Sequence, residues 1–412
     1  MTDVAITGVG VISCLGRGKA ATLDSIRAGR SGIRRLQNID ASMLNCRIGG
    51  EIPADSFDEM TRGYDRFTEL TLVAAAEAAQ EAGYCSTAVD ADRVGAIIGT
   101  GLGGCQTVDA SYKRLYEQRA TRLPPTVIAS SMYNAAASAV STIYGARGVS
   151  FGVVSACASS AHAIGLAAQA IRCGEVDVMF AGGADAPLVV GSIRAWEAMR
   201  VLAIDNEHPE RACRPFSADR RGLVLAEGAA VFVLESFARA SRRGAKIVGA
   251  IAGFGASSDA GHVTDPSPEG AARAMAVALH DARVSPTDIG YINAHGTGTL
   301  ANDVSETRAV KQVFGDHAQQ IPISSTKSMH GHAMGASGAI ELACSLIAIN
   351  GGLVPPTLNL ERPDQACDLD YVAEGPRAAR VAAFLSNSFG FGGLNAVLVV
   401  RTAESVPFGL RY

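Results

Sequence analysis

The sequence predicts an α/β protein made of two similar halves. Short β-branched runs bounded by glycine read as buried strands, alanine-rich stretches between them suit helices packed on several sides, and the same order of elements recurs later in the chain.

The first strand is expected over 4–12, an apolar run interrupted by Gly8 and Gly10. It has no basic segment before it and therefore reads as strand and turn, not as a secretory signal. A helix over 72–82 leads through Asp92 into a strand at 94–99 and the loop Gly99-Thr100-Gly101. Strands at 150–154 and around Ala181-Gly182-Gly183 flank a helix over 161–172. After Arg242-Arg243-Gly244 a new strand is expected at 247–251, and a helix over 271–282 leads through Asp288 into a strand at 291–294 and the loop Gly296-Thr297-Gly298. Helix, acidic turn, apolar strand and Gly-Thr-Gly loop thus occur twice in order. Ser155-Ala156-Cys157, opening one alanine-rich helix, has a counterpart in residues 325–332, which open another. Duplication predicts halves at 1–243 and 244–412 facing each other across a pseudo-twofold axis; chance likeness between alanine-rich helices would leave the same pattern.

At 412 residues, 48% of them hydrophobic, the chain can bury a large core, which excludes a disordered or fibrous protein. A net charge of −4 sets up no field that would gather nucleic acid or an anionic membrane, so any basic docking patch must be local. No apolar run reaches the roughly 18 residues of a membrane-crossing helix. The nine cysteines form no CxxC pair, which fits reduced thiols in the cytoplasm, most of them filling small gaps in the core.

Cys157 stands apart from that majority. It follows the strand at 150–154 and precedes apolar residues at helical spacing, so it lies at or beside a helix N-terminus, where free amides and the helix dipole lower a thiol pKa. A tight small-residue turn from strand to helix also aims its side chain outward, although a small Cys filling a crowded turn has the same local sequence. His295 ends a strand, and ligands gather at the carboxyl ends of strands in open α/β sheets; a structural histidine fits there equally. His332 lies in Lys327-Ser328-Met329-His330-Gly331-His332, where glycine lets the backbone approach another segment. The run Ser386-Asn387-Ser388-Phe389-Gly390-Phe391-Gly392-Gly393 can present backbone N–H groups to a developing oxyanion, or be an ordinary tight turn.

Taken in order, Ser-Ala-Cys-Ala-Ser-Ser, Asn-Ala-His-Gly-Thr-Gly-Thr, Ser-Ser-Thr-Lys-Ser-Met-His-Gly-His and Asn-Ser-Phe-Gly-Phe-Gly-Gly closely resemble the β-ketoacyl synthase family, specifically the type II elongating condensing enzymes of the thiolase superfamily. The resemblance runs essentially end to end and includes the opening strand, Gly99 to Gly104, Arg214-Pro215-Phe216, Glu227-Gly228-Ala229 and Val354 to Leu360. It implies the thiolase fold, layered α-β-α-β-α, and a decarboxylative condensation of a malonyl thioester with an acyl chain. By resemblance, Cys157 matches the acyl-accepting nucleophile, and His295 and His332 complete a Cys-His-His triad. Lys327 and Glu341 match a supporting charged pair. Phe391 matches the residue whose amide joins that of Cys157 in an oxyanion hole and whose ring gates the acyl pocket. Thr297 and Thr299, with Phe389, match positions that meet substrate and pantetheine.

The family chemistry requires no metal and no redox cofactor. Its partner is an acyl carrier protein holding substrates on phosphopantetheine, and Arg62, Arg66 and Arg200 are the docking candidates, although each reads equally as a solvated charge. A homodimer with strands of the first halves paired is implied, or a heterodimer with a related subunit, and residues 126–140, with Met132 and Tyr133, match the segment that reaches the partner's pocket. His330 stands where many relatives carry a small hydroxyl residue and Leu394 where threonine is common; the first reads as a supporting or structural residue, and both point toward a specialised polyketide, polyene or modified-lipid pathway. Three other readings compete: a non-catalytic partner subunit, a thiolase-like or chain-initiating enzyme, and a metal site at Cys157, His295, His330 and His332.

Overall fold

Residues 3–57 and 63–405 are described by the computed structural model of the chain. The first half contributes strands β1 (Val4–Ser13), β2 (Val94–Gly99), β3 (Ser150–Val153), β4 (Val178–Asp185) and β5 (Gly228–Ser236). The second contributes β6 (Gly249–Ser258), β7 (Tyr291–Asn293), β8 (Ile323–Ser324), β9 (Ala383–Gly390) and β10 (Leu394–Thr402). They hydrogen-bond in the order β8-β7-β9-β10-β6-β1-β5-β4-β2-β3. Outward from the middle, the order β1, β5, β4, β2, β3 on one side is matched by β6, β10, β9, β7, β8 on the other. On each side two antiparallel steps are followed by two parallel ones. The recurrence seen in the sequence is therefore a repeat of connectivity, which alanine-rich composition alone would not produce. The halves touch where Val4–Ile6 of β1 pairs antiparallel with Gly249–Ile251 of β6. Here the second half starts two residues later than the strand expected at 247–251.

The main helices are α1 (Arg66–Ala82), α2 (Ser159–Arg172), α3 (Pro268–Ala282), α4 (Leu300–Phe314) and α5 (Ser337–Asn350). Helix α1 packs on β1 and β5, and α3 on β6 and β10, as outer layers. Helices α2 and α5 each touch strands of both halves, so they form the middle layer of an α-β-α-β-α stack. Burial follows from this placement: α5 is buried from Ser337 to Ile349, the all-round apolar character of a helix with no solvent face.

Glycine and alanine set how close the layers come. A Cβ on Gly10 would fall 1.9 Å from the Ala74 carbonyl oxygen, and one on Gly8 2.0 Å from that of Ala78. In the second half, Gly255 and Gly253 stand in the same relation to Ala274 (2.1 Å) and Ala278 (2.3 Å). The two helices start with side-chain caps: Asp65 accepts the Phe67 N–H at 3.1 Å, and Ser267, just before Pro268, accepts that of Gly270 at 3.2 Å. Among the described residues, no helix is long and apolar enough to cross a membrane, and all nine cysteines are unpaired.

Gly255→Val drives side-chain carbon into helix backbone and is expected to cost at least about 1–3 kcal/mol. Gly191→Ala, whose added carbon would meet only the Asp109 carboxylate at 3.5 Å, is the tolerated control. Denaturation midpoints of the two variants measure the difference.

Candidate active site

Between β3 and α2 the chain makes a strained turn. Ala156 adopts a left-handed conformation, φ 51°, which costs a non-glycine residue about 1–3 kcal/mol. Ser159 clasps the turn: its hydroxyl donates to the Ala156 carbonyl at 2.6 Å and accepts the Ser155 N–H at 2.9 Å. Cys157 is thereby aimed into the protein, only 4% exposed, one residue before the helix cap Ala158. Its thiol does not behave as the helix position suggests. Burial pushes it up to about 11, outweighing the Lys327 charge and the Phe391 N–H that donates to the sulfur. The resting group is a thiol, and it needs a base.

The group nearest the sulfur in position to act so is His332, with Nε2 at 3.2 Å. Its backbone is fixed by an N–H donated to Val224 (2.7 Å) and a carbonyl that accepts from Ala226 (2.9 Å), beside Gly331 at φ 79°. Its Nδ1 meets the Ser337 hydroxyl at 2.7 Å, at the start of α5. His295, at the end of β7, presents its ring across from that of His332, with centroids 5.4 Å apart and planes at 84°. The Lys327 ammonium contacts the His295 Nδ1 at 3.2 Å and donates to its carbonyl oxygen at 2.6 Å. An ammonium can only donate, so Nδ1 accepts and the ring proton of His295 sits on Nε2. Lys327 also forms a fully buried ion pair with Glu341. Burial first, and the Lys327 charge second, hold both imidazoles well below the ordinary histidine range, so both are neutral.

Buried carboxylates, which the motifs did not single out, position the loops. Glu306 on α4 accepts the N–H groups of His295 and Gly296, both at 2.8 Å, and its carboxyl is pushed up to about 7 by burial. Asp303, one turn earlier, accepts from Gly298 (3.2 Å) and Phe216 (2.8 Å) and pairs with the buried Arg220 at 3.3 Å. Asp185, at the end of β4, gathers the N–H groups of Gly101 (2.7 Å), Leu102 (3.0 Å) and Gly335 (2.6 Å). The available signal was weak: two acids three residues apart just inside a helix that follows a glycine loop.

These parts line an open cleft of about 600 Å³, its mouth to solvent included, whose walls carry Cys157, His295, His332, Thr297, Thr299, Phe389, Phe391 and Trp196 among others. The Thr297 and Thr299 hydroxyls bond each other at 2.8 Å on its wall. The Phe389 ring is 5.9 Å from that of His295. Gly390 lies against the nucleophile turn so closely that a Cβ would sit 2.8 Å from the Ser155 carbonyl oxygen and 3.3 Å from the Cys157 nitrogen. The motif residues thus converge, with Glu341 behind Lys327. His330 does not join them; it is buried with Nε2 on the Thr326 hydroxyl at 3.1 Å, and burial depresses it to about 3. The four-ligand metal reading therefore loses a member. Cys157, His295 and His332 do bring ligand atoms within 4.8 Å of one another, but the Lys327 ammonium already bonded to His295 opposes a second cation there.

The docking candidates separate. Arg66 does not fit that role: its guanidinium is bound to buried Glu227 at 2.6 Å and to the Ile52 carbonyl at 2.8 Å, and lies over the Phe57 ring. Arg62 falls outside the described residues. Arg200 is exposed, four residues beyond Trp196 on the cleft wall.

Comparison with known proteins agrees with this architecture. Residues 1–240 match the family model described as "Beta-ketoacyl synthase, N-terminal domain", and residues 248–361 match "Beta-ketoacyl synthase, C-terminal domain". Nodulation protein E of Rhizobium sp. (strain N33) is 46% identical over 97% of this chain and 98% of its own length. The 3-oxoacyl-[acyl-carrier-protein] synthase 2 of Coxiella burnetii is 40% identical over 96% and 98%. Among solved structures, the ishigamide ketosynthase/chain length factor superposes with a TM-score of 0.91 at 32% identity, covering 97% of this chain and 99% of the other.

Two pH signatures are expected. Alkylation of Cys157, followed by peptide mass spectrometry, should rise about tenfold per pH unit well past pH 9 because its thiolate is scarce below about 11. Exposed Cys85, whose thiol is held below its usual range by Thr87, should level off earlier in the same samples. On the acid side, imidazoles depressed by burial keep their neutral form below the ordinary histidine pKa of ~6.5, so turnover should show no inflection there.

Proposed function

We propose that this chain, which belongs to the β-ketoacyl synthase family and is a condensing acyltransferase of fatty acid or polyketide biosynthesis, forms its new carbon–carbon bond on Cys157. The observation that carries the assignment is the 3.2 Å contact between the Cys157 sulfur and the His332 Nε2, with the second imidazole on the wall of the same cleft.

In the first step the Cys157 thiol passes its proton to the His332 Nε2 while the sulfur attacks the acyl thioester. The acyl–sulfur bond to the carrier breaks and one to Cys157 forms; the departing pantetheine sulfur takes a proton. The amides of Cys157 and Phe391 face the tetrahedral oxyanion. In the second step a malonyl thioester loses CO₂. The electron pair of the broken bond becomes an enolate, whose oxygen is held by Nε2–H of His295 and Nε2–H of His332. The Ser337 hydroxyl serves both histidine tautomers: it accepts from Nδ1–H when Nε2 receives the thiol proton, and donates to Nδ1 when Nε2 carries one. The enolate carbon then attacks the acyl carbonyl, the acyl bond to Cys157 breaks, and the departing thiolate takes a proton from solvent to restore the resting thiol. These steps call on no redox group and no metal.

Thr297 and Thr299 offer hydroxyls to the amides of a pantetheine arm, and Phe389 an apolar wall. The carrier protein, an acidic partner, docks beside Arg200. His330 and Leu394, together with the greater identity to the nodulation relative than to the synthase 2, support a specialised chain over housekeeping elongation. The edge strand β3 leaves Phe151 exposed (40%), as is Val154 just beyond its end (52%), with Met132 and Tyr133 nearby, a surface that a second copy or a related subunit would cover by strand pairing. Nine unpaired thiols support a cytoplasmic location. The non-catalytic reading is disfavoured because thiol and both imidazoles are present and gathered within 4.8 Å of one another, and the thiolase-like reading because His332 rides on the Lys327 segment.

The test is acyl capture. Incubation with an acyl-loaded carrier should add the acyl mass to the Cys157 peptide, and Cys157→Ala should abolish it. His332→Ala should lower condensation by about 10²–10³-fold. Retention of condensation by Cys157→Ala would sink the assignment. Arg200→Glu should raise KM for carrier-bound substrate and flatten its salt dependence, and an unchanged KM would remove the docking role.

A further inference from the structure

Trp196 is the chain's single tryptophan, and none of the motifs contains it. It lies in the short helix Val190–Ala198, half-buried on the wall of the cleft, with its ring stacked on that of Phe391: centroids 5.7 Å apart, planes inclined by 27°. The two sides of this stack differ in stiffness. The Trp196 helix is pinned at its next residue, where Glu197 accepts the N–H groups of Asn45 and Cys46, both at 2.7 Å, and pairs with Arg194 at 3.0 Å. Phe391 stands instead between Gly390 and the pair Gly392 and Gly393, at φ 86° and 70°, conformations that glycine adopts without strain. The loop is held by two backbone bonds to a neighbouring segment, Gly392 N–H to Val263 (2.8 Å) and Asp259 N–H to Gly393 (2.9 Å). Only the Phe391 side of the stack is built to move.

Something must move when Cys157 is loaded. The Phe391 N–H and the Gly390 backbone crowd the sulfur and its turn, so an acyl group on that sulfur claims space the loop now fills.

We propose that Trp196 is a positioning residue for the condensation: its indole is the fixed rest for the Phe391 ring while Cys157 is free, and acyl loading lifts the ring from it. This rests on the reading of Cys157 as the acyl carrier. A stack of this kind biases a two-position equilibrium by roughly two- to tenfold. That suffices to set where the loop waits, and a covalent acyl group can override it.

Because the chain has one indole, its tryptophan emission reports the surroundings of Trp196 alone. The full-length protein is mixed with a medium-chain acyl thioester of a tryptophan-free carrier protein, and emission is followed while parallel samples are weighed for acyl-Cys157. The emission is expected to change in step with the acyl mass and to stay constant in Cys157→Ala. Trp196→Ala is expected to lower condensation kcat by two- to tenfold without loss of the acyl mass, and Trp196→Phe to restore most of it. Acyl mass appearing with unchanged emission, or Trp196→Ala turning over like the parent protein, overturns the role of Trp196 alone. Absence of acyl mass overturns the Cys157 reading and this proposal together.

Discussion

A single buried ammonium organises the catalytic cavity. Lys327 has no exposed side-chain surface, and a charge so placed costs several kcal/mol unless it is paired and hydrogen-bonded. Glu341 neutralises it, and His295 receives its remaining reach through both its carbonyl and its Nδ1. The one charge acts in three ways: it locks His295 in the tautomer with its proton on Nε2, it adds to burial in holding both imidazoles neutral, and it makes the thiolate of Cys157 less unfavourable than burial alone would leave it. Removing either member of the pair would therefore alter the chemistry of residues it does not itself replace.

The rest of the scaffold converts backbone into precise placement. Glu306, Asp303 and Asp185 each gather N–H groups from loops that regular structure cannot satisfy, which fixes the Gly296–Thr299 loop, the Gly99–Gly104 loop and the start of α5. Burial of these carboxylates raises their pKa, yet the amides aimed at them favour the charged form. Close layer packing at Gly8, Gly10, Gly253 and Gly255 then leaves the outer helices α1 and α3 no freedom to drift.

The α/β class, the repeat and most strand positions were legible because period and glycine placement are local properties. The meeting of Cys157 with His332, 175 positions away, was legible only through the order of the motifs. Three features were hidden for physical reasons. The direction of the Cys157 pKa depends on solvent exclusion, which overrides the helix terminus and has no local sequence mark. The partner of Arg66 lies 161 positions away, so a basic residue that looked free is an internal ion pair. The roles of Glu306 and Asp185 depend on which backbone amides surround them, and those belong to other segments.

The matching connectivity of the two halves has an asymmetric outcome. Both copies deliver the loop between their third strand and the following helix to the same central region, but one copy brings a sulfur there and the other brings Lys327 and His332. The repeated connectivity thus gives the chain two equivalent addresses at one cavity, which hold unlike chemistry. A fragment containing either half alone would lack one partner of the contact between Cys157 and His332.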